Sequence, residues 1–160
     1  MNRYVVTRRQ MGMILGSLGM ASAHAQTKTQ TSGTTIHQEV DFKAAPARLY
    51  EILLDPKHFS AVTKDTAEIQ AQPGAAFKLF GGRIEGRNVE LVLNQRIVQA
   101  WRPSAWPPGV YSIVRFELTG HGSGTRIVFD QVGIPADKWK GLNDGWPIRY
   151  WEPLRKYLAE

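Results

Sequence analysis

Few side chains in this sequence could do chemistry, and their spacing limits what that chemistry could be. Among 160 residues there is no cysteine, which removes disulfides, thiolate metal sites and cysteine nucleophiles. His37, His58 and His121 stand far apart, and none forms an i,i+4 pair or an H-x-H. Neither a metal nor any other cofactor is expected, because a metal site needs convergent ligands. Ser60, Ser104, Ser112 and Ser123 sit in no G-x-S-x-G, and the chain has no H-E-x-x-H, P-loop or G-x-G-x-x-G. No residue is therefore assigned a catalytic role. The carboxylates Glu90 and Asp130 fall in strand-like stretches, where a desolvated acid on an inner face could orient a ligand or act as a general base. Strand alternation puts Glu90 on one face with Asn88 and Val92, and Asp130 on one face with Arg126, Val128 and Val132. Asn88, Glu90 and Asp130 are the candidate polar groups of a pocket. Arg87 and Arg115 could grip a ligand carboxylate, but solvated strand positions explain them equally.

The rings carry more. Phe80, Trp101, Trp106, Tyr111, Phe116, Phe129, Trp146 and Tyr150, with Trp139 and Trp151 nearby, are concentrated in the second half of the chain. Each such ring buries roughly 150–250 Å² and suits either a core or the wall of an apolar pocket. Those eight are the candidate ligand-binding residues. Trp106, in the proline-rich stretch Pro103 to Gly109, is the candidate gate.

The elements that would position these residues follow from periodicity. Thr34 to Phe42 alternates as a strand. Leu49, Ile52 and Leu53 give a helix that opens at Pro46 and ends before Pro56, and Lys57 to Val62 reads as a second short helix. Strands are expected over 67–72, 75–80, 83–93, 95–102, 111–118 and 125–132, with a glycine-rich hairpin loop over 119–124. A terminal helix is expected to start with Asp144 as its N-cap and Pro147 in its first turn, and to kink at Pro153. Its inner face should carry Trp146, Tyr150, Leu154 and Tyr157 or Leu158.

The N-terminus reads as an address. Arg3, Arg8 and Arg9 precede the uncharged apolar run 11–23, and Ala23-His24-Ala25 resembles a cleavage site. Arg8-Arg9 is similar to a twin-arginine signal. Residues 1–25 are thus expected to be an export signal, 26–33 a polar disordered linker, and 34–160 the folded domain, periplasmic or otherwise exported. The apolar run is too short to span a bilayer, so no stable membrane anchor is expected after cleavage. Of 20 basic residues those three leave with the signal, so 17 remain against 14 acidic ones. That weak, scattered excess argues against a nucleic-acid partner.

Element order and motifs together resemble the START-like (SRPBCC) superfamily with the helix-grip fold. Within it they look most like the C-terminal domain of the heat-shock protein 90 ATPase activator and its bacterial relatives. The resemblance rests on F-G-G-R-I-E-G-R-N at 80–88, A-W-R-P at 100–103, W-P-P-G-V-Y-S at 106–112, G-T-R-I-V-F-D-Q-V-G-I-P at 124–135 and G-W-P-I-R-Y-W-E-P-L-R-K-Y-L at 145–158. It implies an α+β fold: a curved antiparallel sheet of 6–7 strands wrapped around a long C-terminal helix, with two short helices after strand 1. It also implies a cleft between sheet and helix in which relatives hold hydrophobic ligands. It does not imply one activity, since members include lipid carriers, cyclases, hydroxylase subunits and chaperone activators. The activator's separate N-terminal domain has no counterpart here, and export would part this domain from the cytosolic chaperone. The expected function is therefore binding of a small hydrophobic or amphipathic ligand, as carrier or sensor. A cyclase- or hydrolase-type enzyme in the same cleft and an activator-like protein-interaction module, whose partner the sequence leaves open, are the alternatives.

Overall fold

The structure, a computed structural model, describes residues 34–159; the expected export signal and linker lie outside the described residues. Six strands form one sheet: β1 (Thr35–Phe42), β2 (Ala76–Leu79), β3 (Ile84–Val92), β4 (Arg96–Pro103), β5 (Ser112–His121) and β6 (Gly124–Val132). Their order is β1-β6-β5-β4-β3-β2, every pair antiparallel. Two short helices, α1 (Pro46–Leu54) and α2 (Pro56–Thr63), follow β1. The chain ends in a long helical stretch: a tight turn over Ala136–Lys138, α3 (Trp139–Trp146), a widened turn over Pro147–Trp151, and α4 (Glu152–Ala159). This is the α+β architecture the motifs imply, a curved sheet closed over the terminal helix.

Alternation sorts the side chains into two faces. Register aligns Gln38, Phe129, Phe116 and Ile97 across β1, β6, β5 and β4, and the next inward row holds Ile36, Gln131, Val114, Gln99 and Asn88. All but the half-buried Gln38 are buried. Both prolines expected to bound the first helices do so. Pro56 ends α1 and opens α2, where Asp55 caps the backbone N–H groups of Lys57 and His58 at 2.9 Å each.

Four local expectations are corrected, two of them in the terminal helix. Residues 67–72 do not form a strand but make a single bridge, Glu68 to Lys78. The buried Asn88 side chain takes up the carbonyls of Gln70 (2.8 Å) and Gln72 (3.3 Å), which a strand ladder would otherwise use. The loop expected over 119–124 shrinks to Gly122-Ser123, because Gly122 adopts φ 58° and permits a two-residue turn.

The terminal helix begins earlier than expected. Asp144 is not its N-cap; it lies inside α3 and pairs with Lys140 on the surface. Pro147 has no N–H, so the Asn143 carbonyl lacks its helical donor, and Gln38 Nε2 donates to it at 3.3 Å. The kink expected at Pro153 is replaced by the widened turn directly before it, in which the Glu152 N–H reaches Pro147 O. The extra residue in that turn brings Trp146 and Trp151, five apart, to the same side, where they stack at 5.6 Å.

Candidate functional site

Most of the space beneath the terminal helix is filled. Trp146 packs at 4.1 Å from Phe129 and 6.0 Å from Phe116, and Trp151 lies 5.5 Å from Phe129. The part of the expected cleft that lies under Trp146 and Trp151 is therefore closed, and Phe116 and Phe129 are core. Polar side-chain atoms inside this core are paired, Trp101 Nε1 excepted. Trp146 Nε1 donates to Gln131 Oε1 (2.8 Å), Gln131 Nε2 to Ser112 Oγ (2.9 Å), and Ser112 Oγ to the Trp101 carbonyl (3.0 Å). On the β1 side, Trp151 Nε1 donates to Gln38 Oε1 at 2.6 Å.

Open space survives at one end of the helix. A cavity of about 280 Å³ lies between α3, the widened turn, the β2–β3 connection and the end of β4. Its apolar wall includes Phe80, Trp101, Trp146 and Tyr150, four of the eight rings expected there. Trp101 stacks on Trp146 at 5.3 Å, and Phe80 sits 5.5 Å from both Tyr150 and Phe59. Phe80 is held at φ 52°, and Gly81 and Gly82 follow with positive φ. A bulky residue adopts that backbone only where packing enforces it, here at the cavity wall.

Four further residues shape the cavity and were not singled out from sequence. Gly141 and Gly145, four apart on α3, line it, and a Cβ added at either meets no atom within 4 Å. Arg83 and Arg149 also line it, and no carboxylate does. Arg83 is paired with Asp65, whereas Arg149 is exposed and has no carboxylate partner among the described residues. The spacing of the two glycines was legible in the sequence; that they face open space was not.

Trp101 supplies the unusual polar feature. Its Nε1 is the one buried side-chain nitrogen or oxygen without a hydrogen-bond partner among the described residues. An unmet buried donor costs about 1–3 kcal/mol, and this one is shut off from solvent as well as from the protein's own acceptors. Tyr150 is enclosed, and burial drives its hydroxyl pKa upward, so it stays a neutral phenol.

The remaining expected site residues lie elsewhere. Trp106 is buried and does not line the cavity; its carbonyl accepts from Arg102 Nη1 at 2.8 Å, so it is a packed anchor and not a gate. Its neighbours Pro103, Ser104 and Ala105 form that part of the rim. Tyr111 is exposed and borders a separate, wider groove beside β2. The charged groups of that groove are already engaged, Glu85 with Arg102, Lys78 with Glu68, and Arg87 with the Gly74 carbonyl. Asn88 does point inward, but it is saturated: besides Gln70 and Gln72 it accepts from Gln99 Nε2 at 3.0 Å.

Glu90 and Asp130 both face outward. A β-bulge at Val89 inserts one residue between Asn88 and Glu90, so the two no longer share a face. Glu90 makes a two-pronged pair with Arg96 at 2.8 and 3.0 Å, which holds its carboxyl below the usual range. Asp130 accepts from Arg115 Nη2 at 2.7 Å and contacts His37 Nδ1 at 2.7 Å. Partial burial pushes the Asp130 carboxyl up, but those two hydrogen bonds and the charges of Arg115 and His37 together outweigh it and hold it low. Neither carboxylate can serve an acid–base step in the cavity. Among the described residues no cluster of three or more His, Asp or Glu side chains could hold a metal ion, and no helix is long and apolar enough to cross a membrane.

A curved sheet gripping a terminal helix, with a small apolar cavity at one end, defines a domain of the START-like, helix-grip class. Residues 43–159 match the family described as activator of Hsp90 ATPase homolog 1-like protein, and the chain belongs to that family. It is 31% identical over 121 residues to an activator of 90 kDa heat shock protein ATPase homolog of Dictyostelium discoideum, covering 75% of this chain and 31% of that protein. It is 29% identical over 149 residues to an uncharacterized Schizosaccharomyces pombe protein, covering 93% of this chain and 44% of the other. The chain thus spans less than half the length of these relatives. The crystal structure of an HSP90 activator from Plasmodium falciparum shares the fold, with a TM-score of 0.76 and 21% identity over 79% of this chain and 97% of that one.

Proposed function

We propose that this protein is an exported domain that takes up a small apolar or amphipathic molecule in the cavity beside α3, as a carrier or sensor. The observation that carries this reading is the pair Gly141 and Gly145. Glycine inside a helix costs about 1 kcal/mol relative to alanine, and here two of them stand where side chains would occupy the cavity. A cavity of roughly 150 Å³ suffices for benzene, so the space here suits a molecule of one or two rings. Uptake would be driven by desolvation against Phe80, Trp101, Trp146 and Tyr150. Export rests on the sequence of residues 1–25, and loss of export in an Arg8→Lys, Arg9→Lys double variant would test it. Native mass spectrometry of protein purified from its own exported fraction tests the binding reading. A retained small molecule that is absent from Gly145→Leu supports it; a bare protein that also fails to bind neutral ring compounds contradicts it.

A second reading, a protein-interaction module, is favoured by the family and by one surface feature. Ile113 and Val132 are cross-strand partners on the outer face and both are exposed, at 40% and 44%. The relatives' names point to a 90 kDa heat shock protein ATPase as the partner to try. Stimulation of that purified ATPase, lost in Ile113→Asp, would favour this reading over the first.

A further inference from the structure

The cavity has a polarity as well as a shape. Its apolar wall is built from four rings, Phe80, Trp101, Trp146 and Tyr150. The cavity's charged lining is wholly cationic, Arg83 and Arg149, and of the two Arg149 is the one with no carboxylate partner. An unengaged guanidinium on the wall of one apolar cavity favours an oxygen-rich anion attached to a flat apolar body.

Building on the cavity reading above, we infer that the guest is a small aromatic carboxylate. Its ring lies among Phe80, Trp101, Trp146 and Tyr150; its carboxylate pairs with Arg149. Flat rings match the existing stack of Trp101 on Trp146. Electroneutral guests would leave the charge of Arg149 uncompensated, and cations would meet two arginines with no carboxylate among the lining residues. Arginine keeps its charge throughout the accessible pH range, so the preference for an anion persists to high pH and fades only as the ligand's own carboxyl protonates.

The test compares 1-naphthoate with its neutral counterpart 1-naphthamide by calorimetry, on the full chain after any processing. The expected result is about a tenfold preference for the carboxylate, of the size a charge-assisted hydrogen bond supplies. Arg149→Met should abolish the preference by weakening the carboxylate about tenfold more than the amide. Equal affinity for both compounds, or a preference that survives Arg149→Met, overturns the anionic guest and leaves the cavity reading standing. If neither compound binds, or binding survives in a folded Gly145→Leu variant, both readings fall.

Discussion

The indole N–H of Trp146 donates to Gln131 Oε1 at 2.8 Å, joining the terminal helix to β6 through two buried side chains. Gln131 in turn donates to Ser112 Oγ at 2.9 Å, so this one amide links helix, β6 and β5. Gln131→Met keeps the volume but strands the indole donor. The expected cost is about 1–3 kcal/mol in urea unfolding. Gln131→Glu should behave differently, because a carboxyl buried there is neutral when folded. Its pKa would be raised above the unfolded value, so stability should fall as pH rises through and beyond about 4.3. Wild-type unfolding midpoints in Gln131→Met would show that the link contributes nothing.

Gly141→Ala should raise stability by up to about 1 kcal/mol, since α3 gains helix propensity and the new methyl meets no atom within 4 Å. A stabilising substitution on the cavity wall separates packing from function. The prediction fails if the melting temperature drops.

Gly86→Ala should be the reverse. A Cβ there would lie 2.2 Å from the Ala100 carbonyl oxygen and 2.4 Å from Phe77 Cζ. Gly86 faces Phe77 across β2–β3, and the ring occupies the space above the bare backbone. Backbone cannot yield as a side chain tip can, so a loss of at least about 1–3 kcal/mol is expected in chemical unfolding.

His37 should titrate above the ordinary imidazole value of 6.5. Its hydrogen bond to Asp130 is the main cause, opposed by desolvation and assisted by the charges of Asp130 and Glu39. The sign follows from linkage: the His37 contribution to stability is complete below 6.5 and is lost as pH rises through the higher folded value. The Asp130 carboxyl is held below its ordinary 3.8, so its contribution is present above that value and is lost as pH falls through the lower folded one. An NMR titration of the His37 ring checks this. Asp130→Asn should bring the midpoint down, and a wild-type midpoint at or below 6.5 would contradict the pairing.

Much of the fold was legible because its signals are local. Alternation marked β1, β5 and β6 to within a few residues, and Pro46 and Pro56 bounded the first helices. The rings of the inner face, Trp146 and Tyr150 among them, followed from helical spacing. Trp151 did not, since its inward position depends on the widened turn ahead of Pro153. Glu90 was misplaced for a related reason: one bulged residue at Val89 reverses the face of everything after it, and single-strand alternation carries no sign of it.

By itself the sequence determined which residues are apolar, in what period, and hence the sheet, the helices and the ring-rich side of the terminal segment. Only the tertiary structure decided which rings fill the interior and which border open space. Burial in a close-packed core depends on the volumes of partners far apart in the chain. Phe116 and Phe129 fit under Trp146, while Gly141 and Gly145 leave room beside it. The unmet donor of Trp101 has the same origin, since an indole N–H is satisfied or stranded by atoms that register and packing bring to it, not by its neighbours in sequence.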